Sequence, residues 1–246
     1  MKRALPILLL TAVAVGLWAG CSRTHQTTTA SGQVVTGDKA ASIERLRDAG
    51  TDLQELMNAP DAAVPQEVLK AAKCVAIVPD MVKGGFVVGG RHGRGVATCR
   101  TTNGWSAPAF FTLSGGSWGA QIGVASLDVV MLIMNDQGMQ DLLKSEFKLG
   151  GEASIAAGPV GRQAEASTDW KMKSQVLTYS RARGAFAGLE LNGAVIKPDS
   201  DSTSAFYGRD LPFEQLLTGK YRTPADAQSF VASVRTAFRE AQASSD

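Results

Sequence analysis

An α+β fold, with a curved antiparallel sheet of barrel-like or sandwich-like form flanked by N- and C-terminal helices, follows from three features of this 246-residue sequence. Apolar residues recur at helical spacing near both ends, short β-branched and aromatic runs fill the middle, and the 26 glycines cluster in and around those runs. Glycines so placed permit the bulges and bending that a curved or closed sheet requires.

Taken in order, the chain opens with Lys2 and Arg3, an apolar stretch from Leu5 to Leu17, and Ala19-Gly20-Cys21, which resembles the lipobox of a bacterial lipoprotein. A lipobox carries Leu where this chain has Trp18; its leucine, Leu17, lies one place earlier. The expectation is a signal peptide over residues 1–20, cleavage before Cys21, and acylation of that cysteine. An uncleaved anchor is the alternative, but Ala4 to Gly20 falls short of the roughly 20 residues that span a bilayer. Ser22 after the cysteine, by resemblance to sorted lipoproteins, points to an outer membrane lipoprotein facing the periplasm. Residues 22–38 are rich in Ser, Thr, Gly and Gln and read as a flexible tether with a reach of roughly 20 to 25 Å. One domain over residues 40–241 follows, with a tail over 242–246.

Within that domain Ile43, Leu46, Leu53, Leu56 and Met57 predict an amphipathic helix from Ala40 to Asn58, closed by Pro60, with Glu44, Arg45, Arg47 and Asp48 turned away. A short helix over Pro65 to Ala72 comes next. Strands are predicted at Cys74–Val78, Gly84–Gly89, Gly95–Arg100, Pro108–Leu113, Trp118–Ala125 and Val129–Met134. The last has no alternation and is either a strand buried on both faces or a core helix. Asp136 is placed as the cap of a short helix through Met139, Leu142 and Leu143. Strands resume at Glu152–Ala157, Lys171–Arg181, Ala185–Leu191 and Ala194–Lys197. Thr223 as N-cap, Pro224 at the first helical position and Asp226 announce a final helix burying Phe230, Val231, Val234, Ala237 and Phe238.

The net charge of +2 drops to near neutral without Lys2 and Arg3, so the global basic excess of a nucleic-acid binder is missing and any anionic partner must meet a local patch. With Cys21 acylated, Cys74 and Cys99 remain in a compartment that permits disulfides; they are either bridged or two buried thiols. Neither has a CxxC companion, and His25 and His92 are the only histidines, so no zinc site is expected. The chain is expected to need no cofactor.

Several constellations compete for a functional role. If Lys171 to Arg183 is one extended strand, Lys171, Lys173, Arg181 and Arg183 share a face with Leu177 and Tyr179, an arrangement suited to an anionic lipid surface. The bland reading is a solvated sheet face, where such charges are common. A second basic cluster is Lys83, Arg91, His92, Arg94 and Arg100. GGRHGRG over residues 89–95 lacks the order of a phosphate loop and reads as a hairpin turn. His92 with Ser114 or Ser117 and Asp80 would be the parts of a nucleophilic site, yet nothing in the spacing assembles them. Asp128 and Asp136 read as residues that end or cap elements rather than as a buried carboxylate pair. No nucleophile, base or metal set emerges, and the chain is read as non-enzymatic.

The runs Ala72-Lys73-Cys-Val-Ala-Ile-Val-Pro79, Lys83-Gly-Gly-Phe-Val-Val-Gly-Gly90, Gly104-Trp-Ser-Ala-Pro-Ala-Phe110, Gly119-Ala-Gln-Ile-Gly123, Ala156-Ala-Gly-Pro-Val-Gly-Arg162 and Tyr179-Ser-Arg-Ala-Arg-Gly-Ala-Phe-Ala-Gly188 resemble a SYLF domain. The match spans roughly residues 40 to 240. It implies a membrane-lipid ligand, as in eukaryotic members that bind phosphoinositides, or actin binding, as in a yeast branch. In the compartment that Cys21 implies, the lipid would be phosphatidylglycerol, cardiolipin or the lipid A phosphates, and a protein partner in the envelope is the alternative.

Overall fold

The computed structural model describes residues 27–28, 34–35, 37–59, 64–85, 88–118, 123–151, 153–160, 174–182 and 185–243. β1 (Thr27–Thr28) pairs antiparallel with β2 (Val34–Val35), a short pairing within the stretch read as a tether. Helices α1 (Gly37–Met57) and α2 (Gln66–Ala71) follow. Next come β3 (Cys74–Gly85), β4 (Val88–Thr101), β5 (Gly104–Trp105), β6 (Ala109–Trp118) and β7 (Gly123–Ile133). After α3 (Asp136–Leu142) stand β8 (Phe147–Lys148), β9 (Ile155–Ala157), β10 (Val176–Ala182), β11 (Ala185–Gly188) and β12 (Ala194–Pro198). The chain closes with α4 (Ser200–Tyr207), α5 (Phe213–Leu217), a 3-10 turn at Ala225–Ala227 and α6 (Gln228–Ala243).

β3 to β12 form one strongly curled, half-barrel sheet in the order β11-β10-β7-β3-β4-β6-β12-β8, with β5 beside β4 and β9 beside β10. The fold class is α+β as expected, but the sheet is mixed rather than purely antiparallel, because β9 runs parallel to β10. Residues 158–175 between those two strands are long enough for the crossover that a parallel pair requires.

Both faces of the sheet are buried, and the pleat sorts successive residues between two cores. Val75, Ile77, Val130, Leu132, Leu177 and Tyr179 join Leu46, Leu53, Phe230 and Phe238 of the helical layer. Cys74, Ala76, Val78, Val129, Met131 and Ile133 fill the concave side with Phe111, Phe147, Leu216 and Leu217. This is why Val129–Met134 shows no alternation: it belongs to a strand covered on both sides. Cys74 and Cys99 stand opposite each other in the β3–β4 register and are bridged. The ladder bond from Arg100 N to Lys73 O brackets them as a non-hydrogen-bonded pair, whose side chains approach more closely.

Several boundaries differ from the sequence reading. Gly84–Gly89 is not a strand of its own: β3 runs on to Gly85 and β4 starts at Val88. Trp118–Ala125 divides between β6 and β7. Among the described residues the strand expected from Lys171 starts at Val176, the one expected from Glu152 at Ile155, and the one expected to reach Leu191 ends at Gly188. Asn135, not Asp136, caps α3; its side chain accepts from Gly138 N at 2.8 Å. Thr223 caps nothing, because the 3-10 turn intervenes and α6 starts only at Gln228, whose side chain donates to Thr223 O. Helices α4 and α5 go beyond the sequence reading. Asp199 starts α4, its carboxylate accepting from Ser202 N at 3.0 Å and Ser202 Oγ at 2.7 Å.

Candidate functional site

Helix α1 places its buried stripe of Leu46, Ala49, Leu53 and Leu56 on the sheet. A second stripe, Arg45, Asp48, Asp52 and Glu55, follows the helix three and four residues apart and so lies along one side of it. That stripe meets a row of charged sheet residues: Arg94 of β4, Asp80 of β3, Asp128 of β7 and Arg181 of β10. Together they make an ionic seam between helix and sheet.

At one end of the seam, Arg45 Nη1 and Arg94 Nε each lie 3.8 Å from Asp199 Oδ2, and the Arg45 guanidinium stacks 5.5 Å from the Phe110 ring centre. Arg45 is therefore packed inward, contrary to its expected outward place on the helix: its long stem reaches over Phe110 to the α4 cap. At the other end Arg181 donates from Nε and Nη2 to Asp128 Oδ2 at 2.8 and 2.6 Å, from Nη2 to Asp52 Oδ1 at 3.0 Å, and pairs with Glu55 through Nη1. Between them the β3 strand bulges at Pro79-Asp80, where the register shifts. Asp80 adopts φ +50, which Asp tolerates better than most residues, and this turns its backbone N–H onto Asp128 Oδ1 at 3.0 Å while its carboxylate accepts from Ser126 Oγ.

One guanidinium thus serves three carboxylates at this end, and it cannot neutralise all of them. Asp52 is only 4% exposed, and its Oδ2 has no hydrogen-bond partner. Burial and then the neighbouring Asp128 charge push the Asp52 carboxyl up to about 7. Burial also raises Asp128, and burial followed by Glu44 raises Asp48.

Beyond the seam β3, β4, β6 and β7 continue as four paired strands. Val82 pairs with Ser126 and His92, and His92 with Ser114. Gly84 pairs with Val124 and Gly90, and Gly90 with Gly116. Directly paired residues project to one face, here the face that carries Phe110 and Val130 farther along. Val82 is 48% and Val124 80% exposed, the exposed large apolar side chains among the described residues. On the opposite face Lys83 stands directly across from Arg91, a like-charged pair. Arg91 turns back and donates to the carbonyls of Gly116, Glu190 and Asn192.

The candidate residues from the sequence therefore have different fates. Cys21, Lys171, Lys173 and Arg183 lie outside the described residues. Tyr179 and Arg181 do share a face with Leu177, but the helical layer covers it: Tyr179 is fully buried, with Gly158 so close that a Cβ there would sit 2.1 Å from the ring, and Arg181 belongs to the seam. Arg100 has a structural task, donating to the carbonyls of Ala72 and Leu69 at the end of α2 at 2.9 and 3.3 Å and lying over Trp105 and Phe238. Lys83, Arg91 and His92 lie on the strands beyond the seam, with Arg91 anchored to backbone carbonyls, while Arg94 belongs to the seam through Asp199. Asp136 pairs with Lys73, and Asp128 lies inside β7 as a partner of Arg181 rather than at an element end. Among the described residues no group of three or more His, Cys, Asp and Glu side chains could hold a metal ion, and no helix is long and apolar enough to cross a membrane.

The sequence reading missed Asp52, Glu55, Val82 and Val124. An aspartate one place before Leu53 in the apolar stripe is a visible signal for Asp52. The valines carry none, since only the end of the helical layer distinguishes them from core residues.

A family model described as Las17-binding protein actin regulator, Ysc84, matches residues 114–237. The chain is 33% identical over 173 residues to human SH3 domain-containing YSC84-like protein 1, a match covering 70% of this chain and 50% of that protein. It is 35% identical over 173 residues to Protein YSC84 of Saccharomyces cerevisiae, covering 68% and 36% respectively. With LAS seventeen-binding protein 3 of the same yeast the identity is 36% over 172 residues, covering 67% and 36%. The chain thus spans half or less of the length of these relatives.

Proposed function

The chain belongs to the Ysc84 family, and on that premise we propose that it is a non-enzymatic envelope lipoprotein whose SYLF-like domain binds anionic phospholipid head groups. Cys21 is the acylated anchor at the outer membrane, on the periplasmic side, after loss of residues 1–20. The observation that carries the lipid reading is the end of the sheet beyond the seam, where exposed Val82 and Val124 share a face with His92, while Lys83 and Arg91 project from the opposite face of the same strands. Apolar side chains at a tip with cations around them suit a bilayer surface, where valine enters the interface and each cation near an anionic leaflet contributes about 1 kcal/mol. Acylation would hold this tip at high local lipid concentration, so weak contacts suffice. On this reading the ligand surface is the β3–β4 and β6–β7 end of the sheet rather than Tyr179 and Arg181.

The names of the relatives favour a second reading, a protein partner docked on the same face. Vesicle flotation separates the two. The chain from residue 21 onward, with Cys21→Ser so that no acyl anchor contributes, is floated with phosphatidylcholine or phosphatidylglycerol vesicles at two salt concentrations. We expect salt-sensitive binding to phosphatidylglycerol that weakens roughly tenfold or more in Val82→Asp/Val124→Asp, given ~1.5 kcal/mol or more for each buried valine. Absence of binding to any vesicle, or binding indifferent to both valines and to Lys83→Glu, refutes the lipid reading.

A further inference from the structure

We infer that the ionic seam is a proton gate for the adjoining lipid face, so that protonation of its carboxylates strengthens attachment to an anionic bilayer. The inference rests on the lipid reading above. Its basis is position: Ser126 donates to Asp80 and pairs with Val82 on the face, and Asp128, two residues along β7 on that same face, accepts from Asp80 N, so Asp80 and Asp128 border the exposed valines and lead to Asp52 through Arg181.

The charged groups that meet there are Glu44, Arg45, Arg47, Asp48, Asp52 and Glu55 from α1, Asp80 from β3, Arg94 from β4, Asp128 from β7, Arg181 from β10, and Asp199 before α4. Carboxylates outnumber guanidinium groups, so the ionised seam turns a negative border toward any anionic head group brought to the face. A buried aspartate with an unpartnered oxygen is the group in this set that gains most from a proton. Burial and then the neighbouring Asp128 charge push Asp52 up to about 7, so this charge is lost as pH falls through neutrality, and burial raises Asp128 and Asp48 in the same direction. Each negative charge removed beside an anionic leaflet is worth about a fivefold gain in affinity, on the scale of ~1 kcal/mol per surface charge.

The same Cys21→Ser chain is titrated with phosphatidylglycerol vesicles at pH 8 and pH 5.5, alone and with Asp52→Asn and His92→Gln. Circular dichroism at both pH values checks that each is folded. The gate requires wild-type affinity to rise about fivefold or more on acidification, with a smaller rise in Asp52→Asn because binding at pH 8 is already stronger. His92→Gln must keep the rise; its loss would assign the effect to a histidine on the face itself and overturn the gate. Equal binding at both pH values also overturns the gate while leaving the lipid reading standing. No binding at either pH removes both.

Discussion

Replacing Asp52 by Asn should stabilise the protein at pH 8 and flatten its pH dependence. Asp52 is held between α1 and the sheet with Oδ1 on Arg181 and Oδ2 unpartnered, while Arg181 already faces Asp128 and Glu55. Its carboxyl is pushed from the usual 3.8 to about 7, so keeping it ionised in the folded state costs about 4 kcal/mol at 1.36 kcal/mol per pH unit. The folded value lies above the unfolded one. The stabilisation from proton uptake is therefore complete below about pH 4 and is lost as pH rises through about 7. Between pH 8 and pH 5.5 Asp52 alone adds about 2 kcal/mol to wild-type stability on this linkage. Asparagine is isosteric and can still accept from Arg181 through its carbonyl, so the variant loses the titration and little of the packing. Urea unfolding at both pH values should show Asp52→Asn more stable than wild type at pH 8, with an increment on acidification smaller by about 2 kcal/mol. Equal increments in the two proteins would refute the reasoning, since they would mean that Asp52 is no more crowded folded than unfolded.

Two further substitutions test the frame around the site. Cys74→Ser/Cys99→Ser opens a bridge between residues 25 apart in sequence, and chain entropy predicts a loss of about 3 kcal/mol, read as a lower urea midpoint that a reductant does not lower further. Arg100→Ala removes two hydrogen bonds to the α2 carbonyls and the stacking on Trp105 and Phe238, for an expected loss of about 2 to 4 kcal/mol. Vesicle binding by folded Arg100→Ala should match wild type; a parallel loss of binding would return Arg100 to the lipid surface.

Local chemistry made much of the fold legible. The apolar spacing of Leu46, Leu53 and Leu56 marked α1, and the unalternating Val129–Met134 marked a strand covered on both sides. Errors came where one residue type serves two ends. Glycine pairs at 84–85 and 89–90 look like strand limits, yet here they lie inside β3 and β4, whose pairing extends far past the apolar part. Asp199 and Asn135 cap helices as their types allow, but Asp136 beside Asn135 and Thr223 before Pro224 are equally good caps on paper. The choice is made by which backbone N–H the folded turn leaves open, and that depends on contacts remote in sequence.

The same distinction governs the site. Strand parity correctly put Leu177, Tyr179 and Arg181 on one face, and a cation beside an aromatic ring on a strand resembles a lipid contact. Parity says which residues share a face and never what lies on it. Asp52 and Glu55 occupy that face from a helix more than a hundred residues earlier, and they turn Arg181 from a surface charge into the centre of a seam. The valines show the converse: Val82 belongs to the same pleated face as the core strands, yet it stays exposed. The same helix therefore sorts the sheet face: Asp52 and Glu55 close on Arg181, while Val82 and Val124 farther along that face stay exposed.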